Sequence, residues 1–383
     1  MVPRKESSLS IEFDPASFGA KTATLRVRRP LHDVDFDGAD AGEFCDLLQA
    51  LIHRTDLDDY FAARPQAEAA LREAGATLAE QAYGDRNADS LLAVHRALYM
   101  LYEDNLRPAG RSVAFNQFNP QLIALRNTLE RRWEAFERRR AAVDLDTVPV
   151  DPSEFGAYFR GLCRSHPMVG HPLFDFLQGD AKRDDLIAFF LSDAAVIVRF
   201  CDLVVLSMVG IDDEIRPELA ENFWDEMGSG AFQERHVALY RDLLEYAGVN
   251  LPGESLMSDQ FADHLRWQGY AGYNLYLFLS LHRKNQFRSL GALGAAEMMD
   301  PDQYAKVLAG CRRVGLEDAD RLAYYAGHAE MDIAHGDGWC DNVLLPLVAK
   351  YPDRRGEIVE GALIRMNVTL DYYDDLLRRM NRR

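Results

Sequence analysis

The side chains best placed to do chemistry lie in the octapeptide His328-Ala-Glu-Met-Asp-Ile-Ala-His335. On a helix turning about 100° per residue, His328, Asp332 and His335 stand at about 0°, 40° and −20°, so two imidazoles and a carboxylate share one narrow face. Such a stripe can ligate a metal; a solvated polar face is the plainer alternative. A second segment, 222–236, offers Glu226 and His236 on either side of Gly228-Ser229-Gly230. Ten residues put them about 80° apart on a straight helix, too far round for a shared point. A glycine-relaxed or π-bulged turn would bring them onto one face; a plain helix–turn–helix corner is the other possibility.

Two further acids stand in apolar company. Asp193 falls inside FFLSDAAVIVRFCDLVVLSMVG, where a carboxylate must be paired, metal-bound or neutral. Arg199, or an arginine on a neighbouring helix, is its candidate ion-pair partner. Asp202 lies nine residues on, on the opposite side of the same helix, so the two acids cannot face one site. Glu297 follows the small-residue stretch Gly291-Ala-Leu-Gly-Ala-Ala, where backbones can approach closely. Four carboxylates and three histidines on several helices form the oxygen-rich donor mix of bundle-housed di-iron and di-manganese sites. Zinc needs fewer oxygens.

Helices must carry these groups, and the sequence supplies them. Apolar periodicity predicts helices over 41–54, 65–83, 87–105 and 120–140, the last opened by Asn119 and Pro120. Periodicity is lost over 141–152, so a helical N-terminal domain is placed at 1–150 and a second domain at 151–383. The second domain holds helices at 153–165, 171–178, 183–209, 214–227, 231–247 (with Gly248 as C-cap), 258–298 (broken near Gly291), 301–314, 317–349 and 354–380. Leu186–Val209 and Trp267–Leu281 are apolar round most of their circumference and read as central helices. Only Leu9–Phe13 and Thr22–Val27 read as extended.

The 383 residues, 48 % hydrophobic and 27 % charged, suffice for a well-buried core. Lys+Arg number 43 against 61 Asp+Glu, a net charge of −18 that opposes a nucleic-acid partner. The acidic excess lies mostly after residue 150. Cys45, Cys163, Cys201, Cys311 and Cys340 are scattered and form no CxxC pair, which fits a reducing cytoplasm and neither a disulfide framework nor a thiolate zinc site. No apolar run suits a secretory signal or a membrane span.

With these residues in view, the sequence resembles the haem-oxygenase-like di-iron oxidases and oxygenases, an all-helical family with a non-haem di-iron centre and no haem. HxxxDxxH at His328, Asp332 and His335 matches its last core helix. The run 225–230, DEMGSG, with a histidine ten residues after Glu226, matches its second ligand helix; Asp193 and Glu297 match the remaining ligand positions. The resemblance covers about residues 155–350. The preceding helices are similar, in length and helicity, to the N-terminal dimerising helices of the N-oxygenating branch known from N-nitrosourea biosynthesis.

The resemblance implies an all-α haem-oxygenase-like bundle of about seven core helices with an N-terminal helical extension. It also implies that Glu226 bridges two iron ions, one held by Asp193, His236 and His335, the other by Glu297, His328 and Asp332. Asp193 departs from the family's usual glutamate; being one methylene shorter, it requires a closer helix, an intervening water or a weaker iron. Asp225, Tyr324 and Tyr325 are candidates to orient the histidines. Tyr270, Tyr273, Asn274 and Arg283 are candidates to face substrate. No segment like the catalytic cupin of the nitrosourea-forming enzyme follows, so nitrosourea formation is not implied.

The leading expectation is a cytoplasmic, homodimeric, O₂-dependent di-iron oxygenase of natural-product type, N-oxygenating an amine or guanidine-like nitrogen of a small metabolite or amino acid. Two Fe(II) ions supply O₂ with two electrons, and an external electron donor restores them. One alternative is a di-iron oxidase that desaturates or fragments an aliphatic amino or fatty acid. Another is a metal-free binding module, or a cofactor-independent relative on the same scaffold.

Overall fold

The computed structural model describes residues 34–382 apart from 113, 252, 254, 255, 299 and 300, and leaves the side chains of 111, 301 and 329–334 undescribed. The extended stretches predicted at Leu9–Phe13 and Thr22–Val27 lie outside the described residues. Within them the fold is all-α, and no strand occurs.

Five helices come first: α1 (Ala41–Ile52), α2 (Leu57–Ala63), α3 (Pro65–Tyr83), α4 (Ala88–Leu106) and α5 (Pro120–Ala141). Local chemistry sets their starts. Asp40 closes a capping box with Glu43 on α1, and Asn119 caps α5 ahead of Pro120. The short helix α2 was not foreseen. After a connector, α6 (Pro152–Ser165), α7 (Pro172–Gly179), α8 (Arg183–Met208), α9 (Arg216–Glu226) and α10 (His236–Tyr246) follow. Then come α11 (Trp267–Leu281), α12 (Gln286–Glu297), α13 (Pro301–Arg313), α14 (Ala323–Gly338), a π-helical turn Trp339–Leu344, α15 (Leu345–Lys350) and α16 (Arg355–Met380). No helix among the described residues is long and apolar enough to cross a membrane.

Three boundaries differ from the sequence reading. The predicted 231–247 helix begins only at His236, because a 3-10 turn, Phe232–Glu234, takes its first residues. The predicted 317–349 helix starts at Ala323, after a turn in which Asp318 caps the backbone N–H groups of Asp320 and Arg321, and passes through the π turn. The long 258–298 element breaks at His282–Asn285 and not at Gly291. Gly291 serves contact: a Cβ there would fall 2.0 Å from the Ile358 carbonyl oxygen, and one on Gly361 would fall 2.0 Å from that of Arg288. These two glycines let α12 and α16 cross backbone to backbone. Gly248, with φ +93°, takes the left-handed position after α10, as its sequence context predicts.

α11 is buried on nearly every side and packs on α8 and α16. Across the connector, α4 lies against α11 and α5 against α16, so the N-terminal helices sit directly on the core. A polar junction ties the layers together. The buried Glu103 carboxylate accepts hydrogen bonds from Arg199 and Ser258, both 2.8 Å, and from the Tyr273 hydroxyl. Arg199 thus serves Glu103, with Asp202 at 3.1 Å, and not Asp193. His95 is completely buried on α4, its Nε2 2.7 Å from the Tyr83 hydroxyl and its ring edge-on to Trp133.

Two measurements test this packing. Gly291→Ala drives a methyl into a carbonyl, so urea denaturation should show a loss of about 1–3 kcal/mol. Gly161→Ala, on the exposed face of α6 with nothing within 4 Å, should instead gain up to about 1 kcal/mol. Burial, aided by the field of Arg86, lowers the His95 pKa to about 3. The unfolded chain therefore takes up a proton near the ordinary imidazole pKa that the folded chain refuses, so stability is present at neutral pH and lost as pH falls below about 6.5. Between about pH 7 and pH 5.5, wild type should lose about 1 kcal/mol more than His95→Gln does; equal losses would remove His95 as the cause.

Candidate metal centre

The candidate ligands meet where helices stop. Glu226 is the last residue of α9 and His236 the first of α10. Between them Gly228, Ser229 and Gly230 all have positive φ (69°, 49° and 92°), and a Cβ on Gly228 would strike the Arg235 backbone nitrogen at 2.6 Å. The sequence left a relaxed helix and a corner open; the structure has the corner, and it turns the chain so that Glu226 and His236 face each other. Nδ1 of His236 lies 2.9 Å from Glu226 Oε2, with side chains only 6 % and 11 % exposed. The contact is at ion-pair distance, though its angles are not those of a hydrogen bond. His328, from α14, completes a group whose donor atoms all lie within 4.8 Å of one another.

The tautomer of His328 follows from its neighbour. Its Nδ1 donates to the Tyr324 carbonyl oxygen at 2.7 Å, which leaves Nε2 as the free lone pair. Burial, with help from His236, lowers its pKa to about 4, so it is neutral and ligand-competent at pH 7. His335, two turns along α14, is the opposite case. Its Nδ1 stands 3.5 Å from Glu297 and its Nε2 3.1 Å from Asp225, and these carboxylates, Glu297 foremost, raise its pKa to about 9. Glu297, the last residue of α12, is itself pushed up by burial and by Glu226, against the pull of His335. Two carboxylates and three imidazoles in one interior suit a divalent cation: the oxygens supply charge and His328 offers a neutral imidazole.

The sequence-predicted residues fall into three sets. Glu226, His236 and His328 form the tight group, with Glu297 and His335 adjoining it through the same cavity wall. Asp193 lines that cavity but stands outside the tight group and is bonded to Tyr372 at 2.7 Å. The Asp332 side chain lies outside the described residues. The ring centres of His236 and His328 stand 4.5 Å apart. Asp225 bonds His335, and Tyr324 orients His328 through its backbone while its ring stacks at 4.3 Å. Tyr325 joins the surrounding aromatic shell.

The cavity, about 170 Å³, is floored by Gly269, Gly272 and Tyr276 of α11. The candidates for facing substrate on that stretch do not line it. Tyr270 bonds the Ala262 carbonyl, Tyr273 bonds Glu103, Asn274 bonds the His95 carbonyl, and Arg283 reaches the Val209 and Gly210 carbonyls. They occupy the face of α11 turned to α4, or the surface. Unforeseen lining residues come from α16: Arg365, Thr369, Tyr372 and Tyr373. Their spacing of four, three and one residues is a polar helical stripe that the sequence did show.

Residues 188–370 match the iron-containing redox enzyme family. This is a group of the haem-oxygenase-like superfamily, and the matched stretch spans all seven candidate ligands and, of the α16 stripe, Arg365 and Thr369. The match implies iron and supports an oxidoreductase. No curated protein matches the chain.

Removing one first contact and one supporting contact separates their roles. Glu226→Gln should abolish stoichiometric Co(II) or Fe(II) binding while far-ultraviolet circular dichroism stays at the wild-type level. Asp225→Asn, which leaves the imidazole of His335 unsupported, should weaken metal binding by about 10- to 100-fold. Wild-type affinity in either variant, read by equilibrium dialysis, would remove that residue from the site.

Proposed function

We propose that the protein is a non-haem di-iron oxygenase that transfers oxygen from O₂ to the nitrogen of a small amine, using electrons from an external donor. The observation that carries this reading is the buried group Glu226, His236 and His328, continuous with Glu297 and His335, opening on an enclosed cavity. The resemblance adds Asp332, one turn beyond His328 in the sequence, to this ligand set. Iron held by these residues supplies the electrons that activate O₂.

The chain's own residues do the rest. Tyr324 and Asp225 fix the histidine orientations, and the carboxylates of Glu226 and Glu297 set the charge that the ions must balance. Phe174, Phe189, Val196 and Phe200 keep the cavity wall apolar, which limits water at the reacting atoms. That same wall favours a second reading, oxidation of an aliphatic C–H bond in a substrate of the same size. The two readings share the metal ligands and differ in the atom placed nearest them.

Anaerobic Fe(II) titration followed by O₂ addition tests the proposal. The expected result is about two irons per chain and O₂ uptake accelerated by primary amines, with a product one oxygen heavier at nitrogen. Oxygen uptake that yields an alkene or a shortened chain would select the C–H reading. Absence of stoichiometric iron would overturn both.

A further inference from the structure

Asp193 enters the cavity from α8 yet stands outside the tight donor group. Its Oδ1 accepts the 2.7 Å hydrogen bond from the Tyr372 hydroxyl, while Oδ2 has no hydrogen-bond partner among the described residues. Phe189, Val196 and Ile197 of the same helix line the cavity with it, and the hydroxyls of Tyr240, Tyr325 and Tyr373 lie within reach of its field. No lysine, arginine or histidine makes an ion pair with it among the described residues; Arg199, six positions along α8, is committed to Glu103 and Asp202. Arg365 of α16 acts on the carboxyl through space, its own Nε donating to the Tyr276 hydroxyl. Burial outweighs both Tyr372 and Arg365 and pushes the Asp193 pKa up to about 7.

A carboxyl held by one hydroxyl in an apolar wall, with its second oxygen free, gains most from a cation that also donates hydrogen bonds. Tyr372 fixes the orientation beforehand, so little ordering is left for the incoming group to bring about. An ammonium or guanidinium satisfies both demands, and the tyrosine rings around the cavity, including Tyr372 and Tyr373, add faces that attract a cation. A metal ion would need other donors within its reach, and the compact donor set found among the described residues does not include Asp193.

We infer that Asp193 anchors a cationic nitrogen of the substrate and is not a metal ligand. This rests on the reading above, in which the cavity receives the substrate of the metal centre. It makes the substrate an alkylammonium or alkylguanidinium compound, and Tyr372 the residue that positions the anchor.

The test uses the full chain and two independent titrations. n-Butylammonium and n-butylguanidinium are the probes, with 1-butanol and butyrate as neutral and anionic counterparts, followed by calorimetry. Co(II) uptake is read in parallel by visible absorbance. Wild type should bind the two cations and neither counterpart. Asp193→Asn and Asp193→Ser should each lose at least about tenfold in cation affinity, the worth of one charged hydrogen bond, with the Co(II) stoichiometry of wild type. Asp193→Glu should keep cation binding to within a few-fold.

Loss of Co(II) from Asp193→Asn with amine binding intact would make Asp193 a ligand and overturn the inference. So would equal binding of butanol and butylammonium, or no binding of any cation by wild type. Failure of the metal reading shows differently: wild type would take up no Co(II), while the amine titration would still report on Asp193.

Discussion

The arrangement turns on a charge problem. Glu226 and Glu297 share one interior, and Glu226 raises the cost of ionising Glu297, in surroundings where an unpaired carboxylate costs several kcal/mol. The protein answers with cations and near-cations placed by helix ends. His335 sits between Asp225 and Glu297 and is held in its charged form, while His236 abuts Glu226. His328, kept neutral by burial, adds a lone pair and no charge. A divalent metal would replace this protonic solution by a stronger one, with the carboxylates and the imidazoles as its ligands.

Helix geometry follows from that requirement. A straight α9–α10 would leave Glu226 and His236 on different faces, so the chain stops, turns left-handed through Gly228-Ser229-Gly230 and restarts. α12 must end at Glu297 and lie close to α14 and α16, and the small residues of 291–296 permit it. Beyond His335 the helix widens into a π turn. There Trp339 donates to Asn222 Oδ1 at 3.0 Å and Asn342 to Glu218 at 2.8 Å, which fastens α14 to the α9 that bears Glu226. The N-terminal helices buttress the other side: Glu103 grips Arg199 and so holds α8, the helix of Asp193, against α11.

Much of this was legible because it is local. His328 and His335 share a face by spacing alone, and two glycines between Glu226 and His236 announced a departure from regular helix. The central character of α8 and α11 followed from apolar residues all round. What was not legible depended on partners far along the chain. Gly291 read as a break because a glycine has the same local cost whether it ends a helix or admits another; only Ile358 on α16 decides. Tyr270, Tyr273 and Asn274 read as site residues because polar groups on an apolar helix suggest function, but their partners are Ala262, Glu103 and His95. The face that does line the cavity carries Gly269 and Gly272, whose lack of side chains hides it from any search for reactive groups.

Asp193 shows the same limit from the other direction. The resemblance assigns it to the ligands, and the structure adds a partner that the sequence did not show: Tyr372, 179 residues away, donates to one oxygen. The consequence is a cavity with unlike walls, nitrogen and oxygen donors for a metal at one place and a single oriented acid in apolar company at another. A substrate cation bound at that acid is fixed in direction as well as position, because the Tyr372 hydroxyl holds the carboxyl in one orientation. Analogues lacking the charge then leave a buried acid unpaired, and discrimination against them exceeds what apolar contact alone can give.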